Sequence, residues 1–502
     1  MPSSQISTLP APAGGWNARD NLASMDPLDA IVMDNFKATS GGISLRKGNT
    51  IFADAVTGQV ETLFEYESAT DNDFLAVAGT VMYDITSGTP STKKSLLTNA
   101  RWQCTNFNGV GFLCNGADTP QEWDGTSLSD TSWTGSGLTV TNLINVSVSR
   151  GRLWFVEKDT AFAWYGGPGA VTGTLLKFDI GQICRAGYLV AMGTWSRDSG
   201  DGQDDLTVFV MSTGQIAVYE NDVAANFTLI GVYEAPKPLG RRCLMNIGGE
   251  LIIITRGGYT ALSAVMKGGF GPDTTLSDKI RGAVSDATAA GAALFGWQGI
   301  NHPDGIHVFF NVPNSTTDFD QHVLNTVTGA WSRYKDWDGG VFGVFAGDMY
   351  MGVLDKVYKL DQGGVDNSRS GTVGGDDWED LTEQWEAWGL VYGGEGLSIS
   401  GTCIQASNAM DGTGNVKQLM MARPSIKVGA AASATVAALP DYSTTTPTAN
   451  QQTLVPGTTG IAHQNFSVHA TGTTFSIAMT IETSEEVAWY DTDLVWRPGG
   501  FL

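Results

Sequence analysis

The segment with the clearest potential for chemistry is RDSGDGQDDL, residues 197–206. Its carboxylates, Asp198, Asp201, Asp204 and Asp205, are oxygen ligands of the kind that Ca²⁺ binds. Their spacing differs from that of an EF-hand loop, which places acids at alternate positions before a glycine and ends on a bidentate glutamate. The sequence therefore predicts a solvated acidic loop and no metal site, with these four residues as the candidates if a metal does bind.

Other catalytic patterns are missing from the chain. Its five histidines form no HExxH motif, and there is no GxSxG elbow, no P-loop and no GxGxxG between a strand and a helix. Adjacent acids such as Asp376 and Asp377 point to opposite faces of a strand, so they make poor acid–base pairs. The sequence predicts a protein that is not an enzyme and needs no cofactor.

The composition indicates how such a chain folds. Of 502 residues, 42% are hydrophobic, only 16% are charged, and 63 are glycine, which is typical of many short strands joined by tight turns. The 52 acidic and 29 basic residues give a net charge of −23, which argues against sequence-specific DNA binding. Five scattered cysteines without a CxxC pair predict free thiols in a reducing compartment.

The chain contains no uninterrupted apolar run long enough to cross a membrane and no basic segment followed by an apolar one near residue 1. We therefore expect a protein that is made and folded in the cytoplasm, without a membrane-spanning segment. Residues 2–13, rich in Pro, Ser and Ala, predict an extended arm that orders only against a partner.

One pattern recurs along the chain: an apolar strand, a short turn, and a second strand that carries an aromatic residue. Seven such hairpins begin at Phe74, Gly111, Leu153, Thr207, Leu251, His307 and Met349, at intervals of 37 to 56 residues. These intervals are close to the length of a four-stranded propeller blade. The fold class predicted is all-β, with a β-propeller-like domain, an N-terminal arm and a C-terminal β-sandwich-like domain.

The predicted domains are an arm with the first strands at 1–60, a propeller at 61–370, and a β-rich domain at 371–502, where strands alternate with period two. Trp378, Leu381, Trp385 and Trp388 have helical spacing and predict a short helix near this second boundary. In VLNTVTGAWSRYKDWDGG, residues 323–340, Thr328-Gly329 predicts a turn. Trp331 and Tyr334 are then expected to pack between blades rather than to bind a ligand.

Several stretches together resemble the packaged-DNA stabilisation, or tail nozzle, proteins of short-tailed bacteriophages. The first is residues 14–49, with Arg19-Asp20, Asn35 and Arg46-x-Gly48 in order. The others are DDLTVFVMSTGQIAVYENDV from Asp204, the segment 227–263 that contains Arg241-Arg242, VLNTVTGAWSRY, and MYMGVLDKVYKLDQGGVDN. A looser similarity continues to Asp441-Tyr442, so the resemblance covers roughly residues 14–442.

The resemblance implies a structural virion protein of the tail, assembled in the host cytoplasm. Six copies would form a tube below the portal and adaptor ring, carry fibres or a tail tip, and help to retain and then conduct the double-stranded DNA genome. Two alternatives stay open on the residues alone: a propeller-type tail enzyme or lectin acting on host surface glycans, and a host propeller that binds other proteins.

Two sets of charged residues follow from this hypothesis. Acidic side chains are expected to face the channel and to repel the duplex. The candidates are Asp198, Asp201, Asp204, Asp205, Asp376, Asp377, Glu379, Asp380, Glu383 and Glu386. By contrast, Arg19, Arg46, Arg241 and Arg242 lie in the family-like motifs and are expected to serve packing or assembly, since guanidinium suits buried pairing with carboxylates.

Overall fold

The computed structural model describes residues 4–198, 203–223, 227–269, 271, 275–367, 397–430, 432–445, 451–457 and 460–501. Contacts divide the chain into two compact units. Unit 1 comprises Met1–Ile51, His322–Trp337 and Tyr358–Leu502, and unit 2 comprises Phe52–Gln321 and Asp338–Val357. The predicted domain boundary near residue 371 falls within 368–396, outside the described residues. The predicted domain ranges are therefore not tested by the structure.

Six strands come first along the chain. They are β1 (Gln5–Pro10), β2 (Gly15–Trp16), β3 (Asp29–Asp34), β4 (Phe36–Thr39), β5 (Gly42–Leu45) and β6 (Asn49–Ala53). The N-terminal arm that contains β1 is ordered against its own chain, because β1 pairs antiparallel with residues 491–496. The expectation that the arm orders only against a partner is therefore wrong for these residues: a strand of the same chain already offers its edge.

Four antiparallel sheets of four strands each follow. They are β7 (Val60–Glu67), β8 (Asn72–Ala78), β9 (Val81–Asp84) and β10 (Ser91–Lys94); β11 (Gln103–Phe107), β12 (Val110–Cys114), β13 (Gln121–Trp123) and β14 (Leu128–Asp130); β15 (Leu143–Ser149), β16 (Arg152–Glu157), β17 (Phe162–Tyr165) and β18 (Leu176–Asp179); and β19 (Leu189–Asp198), β20 (Gln203–Met211), β21 (Gln215–Glu220) and β22 (Thr228–Glu234). Each sheet is a simple meander in chain order.

Three more sheets continue the series. The fifth has β23 (Leu244–Ile247), β24 (Glu250–Thr255) and β25 (Gly258–Ala261), followed by helices α1 (Leu262–Gly268) and α2 (Arg281–Gly291). The sixth has β26 (Gln298–Asn301), β27 (His307–Pro313), β28 (Phe319–Asn325) and β29 (Trp331–Tyr334). The seventh has β30 (Val341–Phe345), β31 (Asp348–Val353) and β32 (Lys356–Leu360), with β6 paired to β32.

The first strands of the seven sheets form a closed ring within unit 2. Contacts run from β7 to β11, β15, β19, β23, β26 and β30 in order, and β30 returns to β7. This arrangement is a seven-bladed β-propeller with the first strand of each blade innermost. The predicted all-β class and its propeller-like domain are confirmed, and each of the seven predicted hairpins supplies the second and third strands of one blade.

The apolar runs of the hairpins explain this arrangement. The second strand of each blade is buried along nearly its whole length, as in β16 (RLWFVE) and β24 (ELIIIT). A blade of three or four strands cannot bury both of its faces alone, so neighbouring blades cover each other. Trp154 of β16, for example, packs edge-on against Phe209 of the next blade, with ring centroids 5.7 Å apart.

Unit 1 contains a further strand, β33 (Val365–Asp366), and eight strands that complete the chain. These are β34 (Leu397–Gln405), β35 (Asn415–Val428), β36 (Ala432–Pro440), β37 (Gln451–Leu454), β38 (Ile461–Ala462), β39 (Phe466–Gly472), β40 (Phe475–Thr483) and β41 (Val487–Phe501). One sheet has the order β38-β35-β41-β5-β4, with β1 on β41 and β39 on β35. In the other sheet, β34 lies between β3 and β40, and β36 between β40 and β37.

The two sheets of unit 1 pack face to face around a buried apolar core. At Gly401 of β34, an added Cβ would meet the side chains of Leu45 and Phe36 on the opposite sheet. Phe36, Trp489 and Ile481 are fully buried. The predicted sandwich-like C-terminal part is confirmed. No helix in the described part of the chain is long and apolar enough to span a membrane.

Candidate functional site

The best-defined polar site of unit 1 is built around Arg46, between β5 and β6. Its side chain is about 1% exposed. Nη1 and Nη2 donate to the two carboxylate oxygens of Asp366 at 2.8 and 2.5 Å, and Nε donates to Oδ1 of Asn35 at 2.8 Å. The two remaining N–H groups reach the carbonyls of Lys47 and Lys335, each at 3.1 Å. All five guanidinium donors are therefore satisfied.

Asp366, the partner of Arg46, is equally buried. Besides the guanidinium, Oδ1 accepts hydrogen bonds from the side chains of Asn49 at 3.0 Å and Trp337 at 3.3 Å. A carboxylate removed from water needs such donors to offset its desolvation. The pair is thus held as an ion pair inside unit 1.

Asn35 joins this pair to three other segments. Its backbone has a φ of 60°, a left-handed conformation that asparagine tolerates better than most residues. Its Oδ1 also accepts from the Lys335 amide at 2.9 Å, and its Nδ2 donates to the carbonyl of Ser400 at 2.8 Å. A side chain with one acceptor and one donor end therefore fixes the β3–β4 turn against β29 and β34.

Aromatic rings and a glycine close the site. The Arg46 guanidinium lies 4.8 Å from the ring centre of Trp337 and 5.9 Å from that of Tyr334, within the range of cation–π attraction. Gly48 leaves no room for a side chain, because an added Cβ would collide with the carbonyl of Val365. We call Asn35, Arg46, Gly48, Tyr334, Trp337 and Asp366 the Arg46 cluster.

A second ion pair lies nearby in the same unit. Arg333 of β29 donates to both oxygens of Asp34 at 2.7 and 2.9 Å, and these two residues are partners in the parallel pairing of β29 with β3. Its guanidinium is 5.1 Å from the ring centre of Trp16. Trp331 and Tyr334 are buried in unit 1. Tyr334 was expected to pack between blades, but it lies beside Arg46 and Trp337.

The side chains of Arg241 and Arg242 in unit 2 link blades that are not neighbours in the chain. They precede the fifth blade, yet Arg241 donates to the carbonyl of Asn115 at 3.0 Å in the second blade. Nη2 of Arg242 donates to Thr62 and to the carbonyls of Glu61 and Trp102, at 2.9 to 3.0 Å. Burial lowers the pKa of Arg242 to about 10, so the side chain stays charged at neutral pH.

Other predicted site residues are Arg19 and the acidic residues of the 197–206 segment. Arg19 pairs with Asp20 near the surface at 2.7 Å. Asp198 ends β19 and Asp204 belongs to β20, so these strands extend further into the predicted loop than expected, while Asp201 lies outside the described residues. Asp205 accepts a hydrogen bond from Ser196 at 2.6 Å. The described residues contain no group of three or more His, Cys, Asp or Glu that could hold a metal.

The acidic candidates from Asp376 to Glu386, with the predicted helix around Trp385, lie outside the described residues. Sequence reasoning missed Asp366 as the partner of Arg46. The available signal was its place in LDQGGVDN, one of the motifs that carry the resemblance. All five cysteines are free, and four of them are buried.

Among known proteins, similarity to this chain is found in solved structures alone. No family model matches the chain, and no curated protein matches it. Among solved structures, YCF48 bound to D1 peptide is similar at 10% identity with a TM-score of 0.40, over 63% of this chain and 97% of that one. The Cps50 (Swd1) β-propeller domain of Myceliophteria thermophila is similar at 9% identity and a TM-score of 0.40, over 62% and 99% respectively.

Proposed function

We propose that this chain is a structural virion protein of a short-tailed bacteriophage, in which six copies form the tail nozzle. One observation supports the proposal most: residues of separate family-like motifs converge on the Arg46 cluster. Asn35, Arg46 and Gly48 come from the first motif, Tyr334 from the WSRY segment and Asp366 from the last. These residues contact one another, so no bound substrate is needed to explain why they occur in the motifs.

The partners of such a nozzle would be its own copies, the portal–adaptor ring, tail fibres or a tail tip, and the genome that passes through it. Six copies carry 6 × −23 = −138 formal charges. A duplex is dense in phosphate, so an acidic wall repels it from every side and leaves it free to slide. Screening over about 8 Å limits the cost of this repulsion. Retention of the genome before ejection then requires a gate or plug rather than attraction between DNA and the channel wall.

Native mass spectrometry of the purified protein and of virion-derived tails tests the assembly. We expect a ring of six 53.2-kDa chains, 6 × 53.2 ≈ 319 kDa. Arg46→Met is expected to reduce the yield of folded protein and of ring together, while Arg423→Met, which alters a largely exposed pair with Asp493 in the same unit, leaves both unchanged. A monomer in both preparations would contradict the nozzle proposal.

Duplex binding tests the sliding mechanism separately. At low salt, where attraction to phosphate is strongest, the isolated ring is expected to bind a duplex only weakly. Tight, salt-sensitive binding would reject the acidic-wall mechanism even if the ring mass is as expected. Turnover of host surface polysaccharide that a single Asp or Glu substitution abolishes would instead favour the tail-enzyme alternative.

A further inference from the structure

A cavity of about 520 Å³ opens in unit 2, at the end of the propeller where the inner strands begin. Val190 at the start of β19 and Arg241 before β23 belong to this end. The turns after β16 and β24 reach the same end, because these second strands run antiparallel to the first. Three consecutive blades therefore contribute side chains to one cavity.

The charge of the wall is opposite to that of the chain. Lys158, Lys237, Arg241 and Arg256 line the cavity, and Asp159 is its one acidic lining residue. The wall thus contains four of the 29 basic side chains of the chain and one of its 52 acidic side chains. Its local charge is +3, whereas the net charge of the chain is −23. A concave wall with one sign of charge concentrates the field and attracts counter-ions.

These cations are not committed to ion pairs. Across the described ranges, none of the four forms a salt bridge. Arg241 donates one bond to the carbonyl of Asn115, while Lys158, Lys237 and Arg256 are exposed. Four cations that face a single carboxylate, Asp159, favour an anion from solution.

The size and composition of the cavity narrow the class of anion. A charge of +3 matches a multiply charged phosphate better than a single carboxylate, since a phosphate ester carries about −1.5 to −2 at neutral pH. The volume lies within the range of small-ligand pockets. Tyr188, also in the wall and 44% exposed, offers an aromatic face for a base.

We propose that this cavity binds a phosphate-bearing ligand of nucleotide size. Arg241 and Arg256 contact the phosphate oxygens with their planar guanidinium groups, and Lys158 and Lys237 add charge. Tyr188 packs against the ring of the ligand. The site does not rest on the nozzle proposal, and the ring mass is measured without any ligand.

Isothermal titration calorimetry with pyrophosphate and with adenosine diphosphate tests the site. We expect one ligand per chain, with affinity that falls as salt rises. Lys237→Gln and Arg256→Gln should each weaken binding of both probes at least about tenfold, because each removes a cation from a partly desolvated anion. Lys267→Gln is the matched control: it removes an exposed lysine of the same unit outside the cavity.

Two further arms identify the source of the phosphate. If adenosine diphosphate binds more tightly than pyrophosphate and Tyr188→Ala removes only that difference, the ligand is a free nucleotide-like molecule. If a duplex without terminal phosphates competes with pyrophosphate and the same substitutions weaken it, the phosphates are those of a polynucleotide. Dissociation constants above about 1 mM for both probes, or equal affinity in the cavity variants and the control, would overturn the proposal. Near-UV circular dichroism confirms that each variant is folded.

Discussion

Arg46 and Asp366 form a doubly hydrogen-bonded ion pair in the interior of unit 1, although 320 positions separate them in the chain. The pair ties the β5–β6 connection to β33, and Asn35 extends it to β29 and β34. Segments from the first, middle and last parts of the chain thus depend on one guanidinium. The stability of unit 1 is expected to depend on it as well.

Removing one partner of this pair leaves a buried, uncompensated charge. Arg46→Met is therefore expected to lower the free energy of unfolding by about 3–5 kcal/mol, measured by urea titration with tryptophan fluorescence. The control, Arg19→Met, alters a partly exposed pair and should cost less than about 1 kcal/mol. The double variant Arg46→Met/Asp366→Leu should recover part of the loss, because neither charge remains. Equal losses in Arg46→Met and the control would contradict this account.

Gly48→Ala tests the tight approach between the β5–β6 connection and β33. The amide and carbonyl of Gly48 bond to Gly363 and Gln362 at 3.1 and 2.9 Å, so the backbone cannot retreat without losing these bonds. A methyl group there meets the carbonyl of Val365. We expect a loss of at least about 1–3 kcal/mol in the same titration. Gly41→Ala, with no atom within 4 Å of the added carbon, should change stability by less than about 0.5 kcal/mol.

Arg242→Met tests the link across the propeller ring. It removes the donor shared by Thr62 and the carbonyls of Glu61 and Trp102 while keeping an apolar stem. Leaving buried acceptors unpaired is expected to cost about 1–3 kcal/mol and to lower the thermal midpoint. Native mass spectrometry should also show less of the proposed hexameric ring, since assembly of that ring would need a folded propeller. An unchanged ring with altered DNA release would assign this arginine to DNA instead.

His322 gives unit 1 a predictable response to acid. Burial, assisted by the nearby charge of Arg333, lowers its pKa from 6.5 to about 3. Below pH 6.5 the His322 ring of the unfolded chain binds a proton, whereas the same ring in the folded chain stays neutral down to about pH 3. Stability contributed by the neutral ring is therefore lost progressively as pH falls through this window.

The corresponding experiment compares urea unfolding at pH 7 and pH 5. His322→Gln should lose less stability between these two values than the wild type, because it has no group to protonate there. An identical pH dependence in the wild type and His322→Gln would show that His322 titrates normally.

Much of the propeller is predictable because its signal is local. Each blade is a meander whose second strand is buried on both faces, so apolar runs such as LIIIT, followed by a turn and an aromatic residue, mark it directly. Seven hairpins in the sequence therefore correspond to seven blades. Some first strands carry weaker patterns, as in β11 (QCTNF), where only Phe107 is buried, and β26 (QGIN), where no residue is fully buried, and periodicity alone does not reveal these strands.

The sequence by itself determined the all-β class, the hairpin of every blade and the free thiols, and it offered arginines such as Arg46 and Arg242 as candidates for packing or assembly. Only the tertiary structure decided what those arginines contact. Arg46 meets a carboxylate 320 positions away, Arg242 meets carbonyls of two distant blades, and four scattered cations surround one cavity. Spacing along a chain specifies which side chains share a strand face, because that depends on neighbours two positions apart. Pairings between distant segments depend on how the strands are ordered in space, and no local pattern encodes that order.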